Sequence, residues 1–269
     1  MWGEVIVLAA VQALTEFLPV SSSGHLLLVP ALAGWTDPFL TGLTLSVALH
    51  VGTGLALVIA LWSDWVWLAR GVIGKGPSVR LARRLLAALV GSTLLIGLIA
   101  LPLRSWLTTL RDPTLAAVLL IVFGLGLAAA DRIGTSRRDL ASTPFAFWVA
   151  IGLSQFAALV PGVSRAGITM TVARGLGVER QAAARFSLFL LAPAVAGAGL
   201  VQFVDVAISG KPIGDIPLLI GATLVAAVVG AAAVRWLLRF VARHSLAAFA
   251  FYRVAAGTLA LILLLTLRA

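Results

Sequence analysis

Two short stretches hold most of the residues able to do chemistry in a chain that is otherwise largely apolar. The first, LTEFLPVSSSGH at 14–25 with Gln12 just before it, carries Glu16, Ser21, Ser22, Ser23, Gly24 and His25. The second, QFAALVPGVSRAG at 155–167, carries Gly162, Ser164, Arg165 and Gly167. Gln12 and Glu16 are four apart, so a helix places them on one face. Serine hydroxyls at the start of a helix cap its free N–H groups, and that end attracts an anion. Ser21, Ser23 and Ser164 are therefore candidate ligands of a bound anion. Arg165 adds a planar fork able to grip two oxygens at once, and Gly162 and Gly167 permit close backbone approach. Together these groups make a polyanion pocket with one carboxylate and one imidazole beside it. Phosphate chemistry is the first expectation; a carboxylate-bearing substrate stays open.

The remainder of the chain decides where such a pocket can sit. Of 269 residues, 61% are hydrophobic and 11% charged, against about 45–50% and about 25% in soluble domains. Mean hydropathy is +1.09, and the apolar residues suffice for several bilayer spans of about 20 residues. The absence of cysteine excludes disulfides, thiolate metal sites and a cysteine nucleophile. A net charge of +10 spread between apolar runs is no nucleic-acid footprint, since no basic face or recognition module accompanies it. Met1-Trp2-Gly3-Glu4 lacks a basic leader, so the first apolar run is expected to stay in the mature chain. At membrane depth Glu16, His25 and Arg165 are costly, roughly 2.5–3.5 kcal/mol for a charge, and packing alone explains them poorly.

Apolar runs fall at 4–18, 26–34, 41–62, 85–103, 114–130, 144–160, 167–176, 186–204, 216–238 and 247–267. Their continuous apolarity argues for helices rather than alternating barrel strands. Six are long enough to span; the pairs 4–18/26–34 and 144–160/167–176 are short and broken by Pro, Ser and Gly. Most of the eight tryptophans sit at segment edges, as at a headgroup layer. Arginine-rich loops at 70–84, 131–139, 174–185 and 235–243 read as cytoplasmic, and loops 104–112 and 205–215 as external. On that topology the first broken pair enters from outside and the second from the cytoplasm. Two opposed broken hairpins in corresponding halves point to an inverted repeat with a midplane site. The expected fold is thus an all-α integral membrane protein of six transmembrane helices plus two opposed re-entrant hairpins. It forms one membrane domain, 1–269, with approximate repeat halves 1–130 and 131–269.

At this point the motifs become familiar. QALTEFLPVSSSGHL at 12–26 resembles the acidic and serine/histidine motif of the undecaprenyl-diphosphate phosphatases of the BacA type, and PGVSRAG at 161–167 resembles their PGxSRSG motif. Weaker echoes at 50–58, 184–199 and 252–261 extend the likeness over nearly the whole chain. The resemblance implies an integral membrane hydrolase in the plasma membrane. It would remove the terminal phosphate of undecaprenyl diphosphate, returning the lipid carrier to peptidoglycan synthesis and conferring bacitracin resistance. It implies a divalent cation, Mg²⁺ or Ca²⁺, and a site opening to the outer side. By position it assigns Glu16, Ser22, His25 and Arg165 to catalysis, with Gln12 and Glu16 as metal ligands and Gln12 also near the substrate. Gln12 stands where many members have a carboxylate, and Ala166 where the motif has serine. The nucleophile is His25, forming a phosphohistidine, or Ser22 with His25 or Glu16 as base; the sequence does not separate them.

A polyprenyl-phosphate transporter is the alternative, because opposed broken hairpins also build transporters; a non-catalytic scaffold is a third. Membrane lipids and the lipid diphosphate are the expected partners. Small-residue runs at 194–199 and 221–230 suit a homodimer as well as internal packing. His50, inside span 41–62, either faces the cavity or is a hydrogen-bonded interior histidine; His244 is read as solvated, Asp64 and Glu4 as interfacial, and the pair Tyr252-Arg253 as snorkelling or tying helices together. The topology is testable by cysteine labelling, since the chain has no cysteine of its own. Cysteines placed at 75 or 137 should be shielded from an impermeant thiol reagent in intact cells, and one at 210 should react. Labelling of 137 from outside would overturn the orientation.

Overall fold

The computed structural model describes residues 1–74, 77–209 and 214–267. The broken first pair becomes α1 (Trp2–Phe17) and α2 (Ser22–Ala33). Next come α3 (Leu43–Ala60), α4 (Trp62–Ile73), α5 (Pro77–Ala100), the short α6 (Arg104–Thr109) and α7 (Pro113–Ile133). The second pair is α8 (Phe145–Leu153), a 3₁₀ turn (Ser154–Leu159) and α9 (Arg165–Gly175). Three long helices close the chain: α10 (Arg180–Ser209), α11 (Ile216–Val241) and α12 (Ala247–Thr266). No strand forms among the described residues. Six helices, α3, α5, α7, α10, α11 and α12, are long and apolar enough to cross a membrane. Labelling positions 75 and 210 lie outside the described residues.

Local chemistry sets the helix starts. Asp112 and Asp215 each accept a hydrogen bond from the N–H three residues on, and a proline follows each cap by one or two positions. Segment ends differ from the apolar runs where polar residues favour helix. Helix α5 begins at Pro77, not 85, and takes Arg80, Arg83 and Arg84 into its first turns, because arginine is a good helix former. Likewise α2 begins at Ser22, well before the apolar run at 26. Helix α4, within a stretch read as the tail of a span and a loop, is an amphipathic element whose Asp64 pairs with Arg185 at 2.7 Å.

Burial is arranged inside-out relative to a soluble domain. Leu98, Val228 and Phe251 are 70%, 70% and 77% exposed, whereas Gln12, Glu16, Asp131, Arg174 and Arg253 are buried. The apolar exterior suits lipid and the polar interior must satisfy itself. Helix α11 packs on α1 and α3, and α12 on α7. Close approach decides one residue outright: a Cβ on Gly52 would stand 2.5 Å from the Thr223 carbonyl oxygen. At Gly230 a Cβ would meet the Phe17 ring at 2.7 Å and Ala56 at 2.8 Å, so this end of the 221–230 run is spent on internal packing. Trp2, Trp62, Trp106 and Trp236 are exposed, but Trp148 is buried against Phe186.

The end of the molecule carrying the arginine-rich loops is tied by one carboxylate. Asp131 at the end of α7 accepts from Arg174 Nε at 2.9 Å, from Arg180 Nε at 2.8 Å and from the Leu246 N–H at 2.9 Å. Arg174 donates further to the Val178 and Gly134 carbonyls. In the sequence Arg174 and Arg180 fall in an arginine-rich loop, 174–185. Arg174 is instead a buried tie among α7, α9 and the chain that follows, because a carboxylate two elements away neutralises it.

Candidate active site

The site forms where the two broken pairs meet. Each break ends in a serine cap of the same build. Ser21 (φ 80°) caps α2 and accepts from the Gly24 N–H at 3.3 Å; Ser164 (φ 72°) caps α9 and accepts from the Gly167 N–H at 3.0 Å. These are the positive-φ residues other than glycine among those described, a conformation that costs of order 1–3 kcal/mol and persists only when the surroundings enforce it. The breaks touch: a Cβ on Gly24 would lie 3.3 Å from the Gly162 Cα. Gly162 itself sits at φ 99° with the Ala116 carbonyl 2.6 Å from where a Cβ would be.

The surroundings that enforce this geometry are a single guanidinium. Arg253, fully buried on α12, donates from Nη1 to the Pro19 carbonyl at 3.3 Å and from Nη2 to the Gly162 and Val163 carbonyls at 3.0 and 2.9 Å. Nε and Nη2 also reach the Leu120 and Leu119 carbonyls of α7, at 3.3 and 3.5 Å. Breaking a helix leaves carbonyls without partners, and inside the protein they need donors from the chain itself. Arg253 collects them from both breaks.

A cavity of about 100 Å³ opens beside the caps, lined by Thr15, Glu16, Ser22, Ser23, His50, Ala158, Ser164 and Arg165. Glu16, at the end of α1, has its Oε2 engaged twice: Gln12 Nε2 donates to it at 3.2 Å, and the Ser22 hydroxyl donates to it as well. The side chain of Arg165, the first residue of α9, makes no hydrogen bond or ion pair among the described residues, so its fork is available to a ligand. A larger groove of about 660 Å³ near the arginine-rich loops, lined by Val79, Arg80, Arg83, Arg84, Ala87 and Phe145, has no acid, hydroxyl or imidazole and cannot do comparable chemistry.

Of the residues singled out in the sequence, Glu16, Ser22, Ser23, Ser164 and Arg165 share this cavity, with Gln12 behind Glu16 and Ser21 spent on its cap. His25 does not line it. Its Nδ1 lies 2.7 Å from the Ser21 carbonyl and its Nε2 2.9 Å from the Tyr252 hydroxyl, with the two rings stacked. Both ring nitrogens are occupied. The imidazole that does line the cavity is His50, for which the sequence leaves a cavity-facing and a hydrogen-bonded interior place equally open; its position inside an apolar span is the signal. Of the two places the sequence allows the pair Tyr252-Arg253, snorkelling or tying helices together, the structure shows the second.

An oxygen-rich donor set bears on the cation that the resemblance implies. Among the described residues no cluster of three or more His, Cys, Asp or Glu could hold a metal by itself. Gln12 Oε1, however, is buried without a hydrogen-bond partner, next to a carboxylate. One carboxylate with an amide oxygen fits a hard ion that takes its other ligands from substrate phosphate, as magnesium commonly does.

Fold and cavity together define a polytopic helical membrane protein whose polar centre lies between two interrupted helix pairs. The chain belongs to the family of bacitracin resistance protein BacA, whose model matches residues 5–259. It is 44% identical over 264 residues to an undecaprenyl-diphosphatase of Desulforudis audaxviator, covering 97% of each chain. A protein of the same name from Pelobacter propionicus is 41% identical, with 97% of this chain and 96% of the relative covered. One from Geotalea daltonii is 40% identical over 96% of this chain and 97% of its own.

The buried clasp yields a test. Arg253→Lys keeps the charge but one ammonium cannot reach carbonyls on both breaks and α7. Loss of several charge-assisted bonds, each worth about 1.5–3 kcal/mol, should lower the unfolding temperature in detergent and reduce activity together. A lysine variant as stable and active as the parent would remove Arg253 from its organising role.

Proposed function

We propose that this membrane protein hydrolyses the terminal phosphate of undecaprenyl diphosphate, giving undecaprenyl phosphate and inorganic phosphate. Family membership and the names of its relatives support the reaction. The observation in this chain that carries it is the Ser22 hydroxyl bonded to Glu16, across one cavity from Ser164 and the free fork of Arg165. In this reading α1–α2 and α8–α9 are re-entrant hairpins of an inverted repeat, inserted from opposite faces, and the cavity opens to the outer side of the plasma membrane. The matched serine caps support the repeat, and the loop charges support the direction. A transporter reading has no comparable support.

Phosphoryl transfer asks for an in-line nucleophile and for stabilised charge. Arg165 grips two oxygens of the terminal phosphoryl group, with the Ser164 and Ser23 hydroxyls and the N-terminal ends of α2 and α9 around the third. Ser22 Oγ attacks the terminal phosphorus while its proton passes to Glu16 Oε2. The bond from phosphorus to the bridging oxygen breaks, and its electron pair leaves on the polyprenyl phosphate. Water then opens the phosphoseryl ester. The occupied nitrogens of His25 favour Ser22 as nucleophile and give His25 a positioning task, holding the Ser21 carbonyl and with it the cap. Gln12 fixes Glu16. A Mg²⁺ or Ca²⁺ ion, when bound, would be held by Glu16 Oε1 and Gln12 Oε1 and would offset charge on the diphosphate.

Release of inorganic phosphate from a prenyl diphosphate by the purified protein in detergent is the direct test, and no release would sink the reading. In that assay Glu16→Gln should leave almost no turnover at any magnesium concentration, because the neutral isostere removes the sole carboxylate on the cavity. Near-parental turnover would refute the role. Arg165→Lys should lower kcat about ten- to a hundredfold, since one charge-assisted contact is worth about 1.5–3 kcal/mol. A lysine variant with unchanged kcat and KM would make Arg165 a structural tie.

A further inference from the structure

Opening a phosphoryl ester requires a water held in line with the bond that breaks, and the groups already given work leave that water unheld. Glu16 faces Ser22 and Gln12, the serines and Arg165 face phosphoryl oxygens, and His25 is bonded at both nitrogens. His50 remains. It lies within α3, outside the two broken pairs, and lines the cavity.

Its protonation pattern is fixed by geometry. Nδ1 is 2.7 Å from the Ser46 carbonyl oxygen, four residues back on the same helix. A carbonyl only accepts, so Nδ1 carries the hydrogen and the neutral ring has its lone pair on Nε2. No described residue hydrogen-bonds Nε2. Ser46 is itself anchored to α10, its hydroxyl donating to Gln202 Oε1 at 3.1 Å. A ring held by its Nδ1–H, with an unoccupied acceptor nitrogen on the cavity, is built to hold a donor.

We infer that His50 is the water-positioning catalytic residue of the hydrolytic step, its Nε2 accepting a hydrogen bond from the attacking water; the inference rests on the function proposed above. The water oxygen bonds to phosphorus as the bond from phosphorus to Ser22 Oγ breaks, its electron pair returning to Oγ. Oγ recovers the proton held by Glu16, and both hydrogens of the water depart on dihydrogen phosphate. In a loose phosphoryl-transfer transition state, placement of the water matters more than early removal of its proton. A hydrogen-bond acceptor of the right reach therefore suffices.

The experiment compares the full-length protein with His50→Ala and His50→Gln, measuring kcat and KM for phosphate release from a prenyl diphosphate. A rapid quench with label on the terminal phosphate accompanies it. His50→Ala should lose about a hundredfold in kcat with KM within a factor of about three, and should accumulate phosphoserine at Ser22, since forming the ester needs no water. That accumulation also shows the variant is folded. His50→Gln, whose amide oxygen can accept in place of Nε2, should recover most of the lost rate. Parental kcat in His50→Ala, a raised KM with kcat unchanged, or a slow variant that builds up no phosphoserine would each overturn the inference while leaving the phosphatase intact. Absence of phosphate release from the parent protein would instead bring down the function itself.

Discussion

A helix interrupted in the interior of a protein must find partners for its open carbonyls, and in this chain they find Arg253. One guanidinium on α12 draws in carbonyls from both breaks and from α7, so three otherwise separate segments share a single cation. Burying that cation would be prohibitive alone; surrounding it with carbonyl dipoles makes it tolerable. The carbonyls face backward to Arg253, and the N–H ends of α2 and α9 are left facing the cavity. Polarity of the site thus follows from where the opposite polarity is stored.

The two serine caps translate that arrangement into chemistry. Because Ser21 and Ser164 take positive φ, the chain turns sharply and the next residue, Ser22 in one break and Arg165 in the other, is brought to the cavity. The Ser22 hydroxyl and the Arg165 fork occupy equivalent places, each one residue past its cap. Helices α3 and α11 pack on each other and on α1, at glycine contact distance at Gly52 and Gly230, and α3 brings His50 to the cavity. At the other end Asp131 performs a complementary service, one anion gathering arginines and an N–H from several elements.

Much of this was legible in the sequence. Six long apolar runs mark the six long helices because lipid demands continuous apolarity, and Pro-Ser-Gly interruptions mark both breaks. Glu16, Ser22, Ser23, Ser164 and Arg165 stood out because polar residues at depth need a reason. What did not show is what depends on three-dimensional partners. Helix α4 is amphipathic and too polar to register as a run. Arg174 reads as a loop charge until Asp131, distant in sequence, is beside it. Motif membership draws attention to His25, yet hydrogen bonds to Ser21 and Tyr252 occupy it, whereas His50, for which the sequence leaves cavity and interior both open, lines the cavity with Nε2 unpartnered among the described residues. Nothing local to either histidine distinguishes an occupied ring from an open one.

The size of the cavity has a thermodynamic consequence. At about 100 Å³ it admits a phosphoryl group and little more, so a polyprenyl tail stays dissolved in the bilayer. Lipid is already as good a solvent for that tail as any protein groove, and withdrawing the tail from it yields no hydrophobic gain. Attraction for the substrate must then come almost wholly from the head, while the tail contributes by confinement, restricting diffusion to a plane and raising local concentration. Selectivity on such a scheme is for the charged terminus, and chain length enters through partitioning into the membrane rather than through fit.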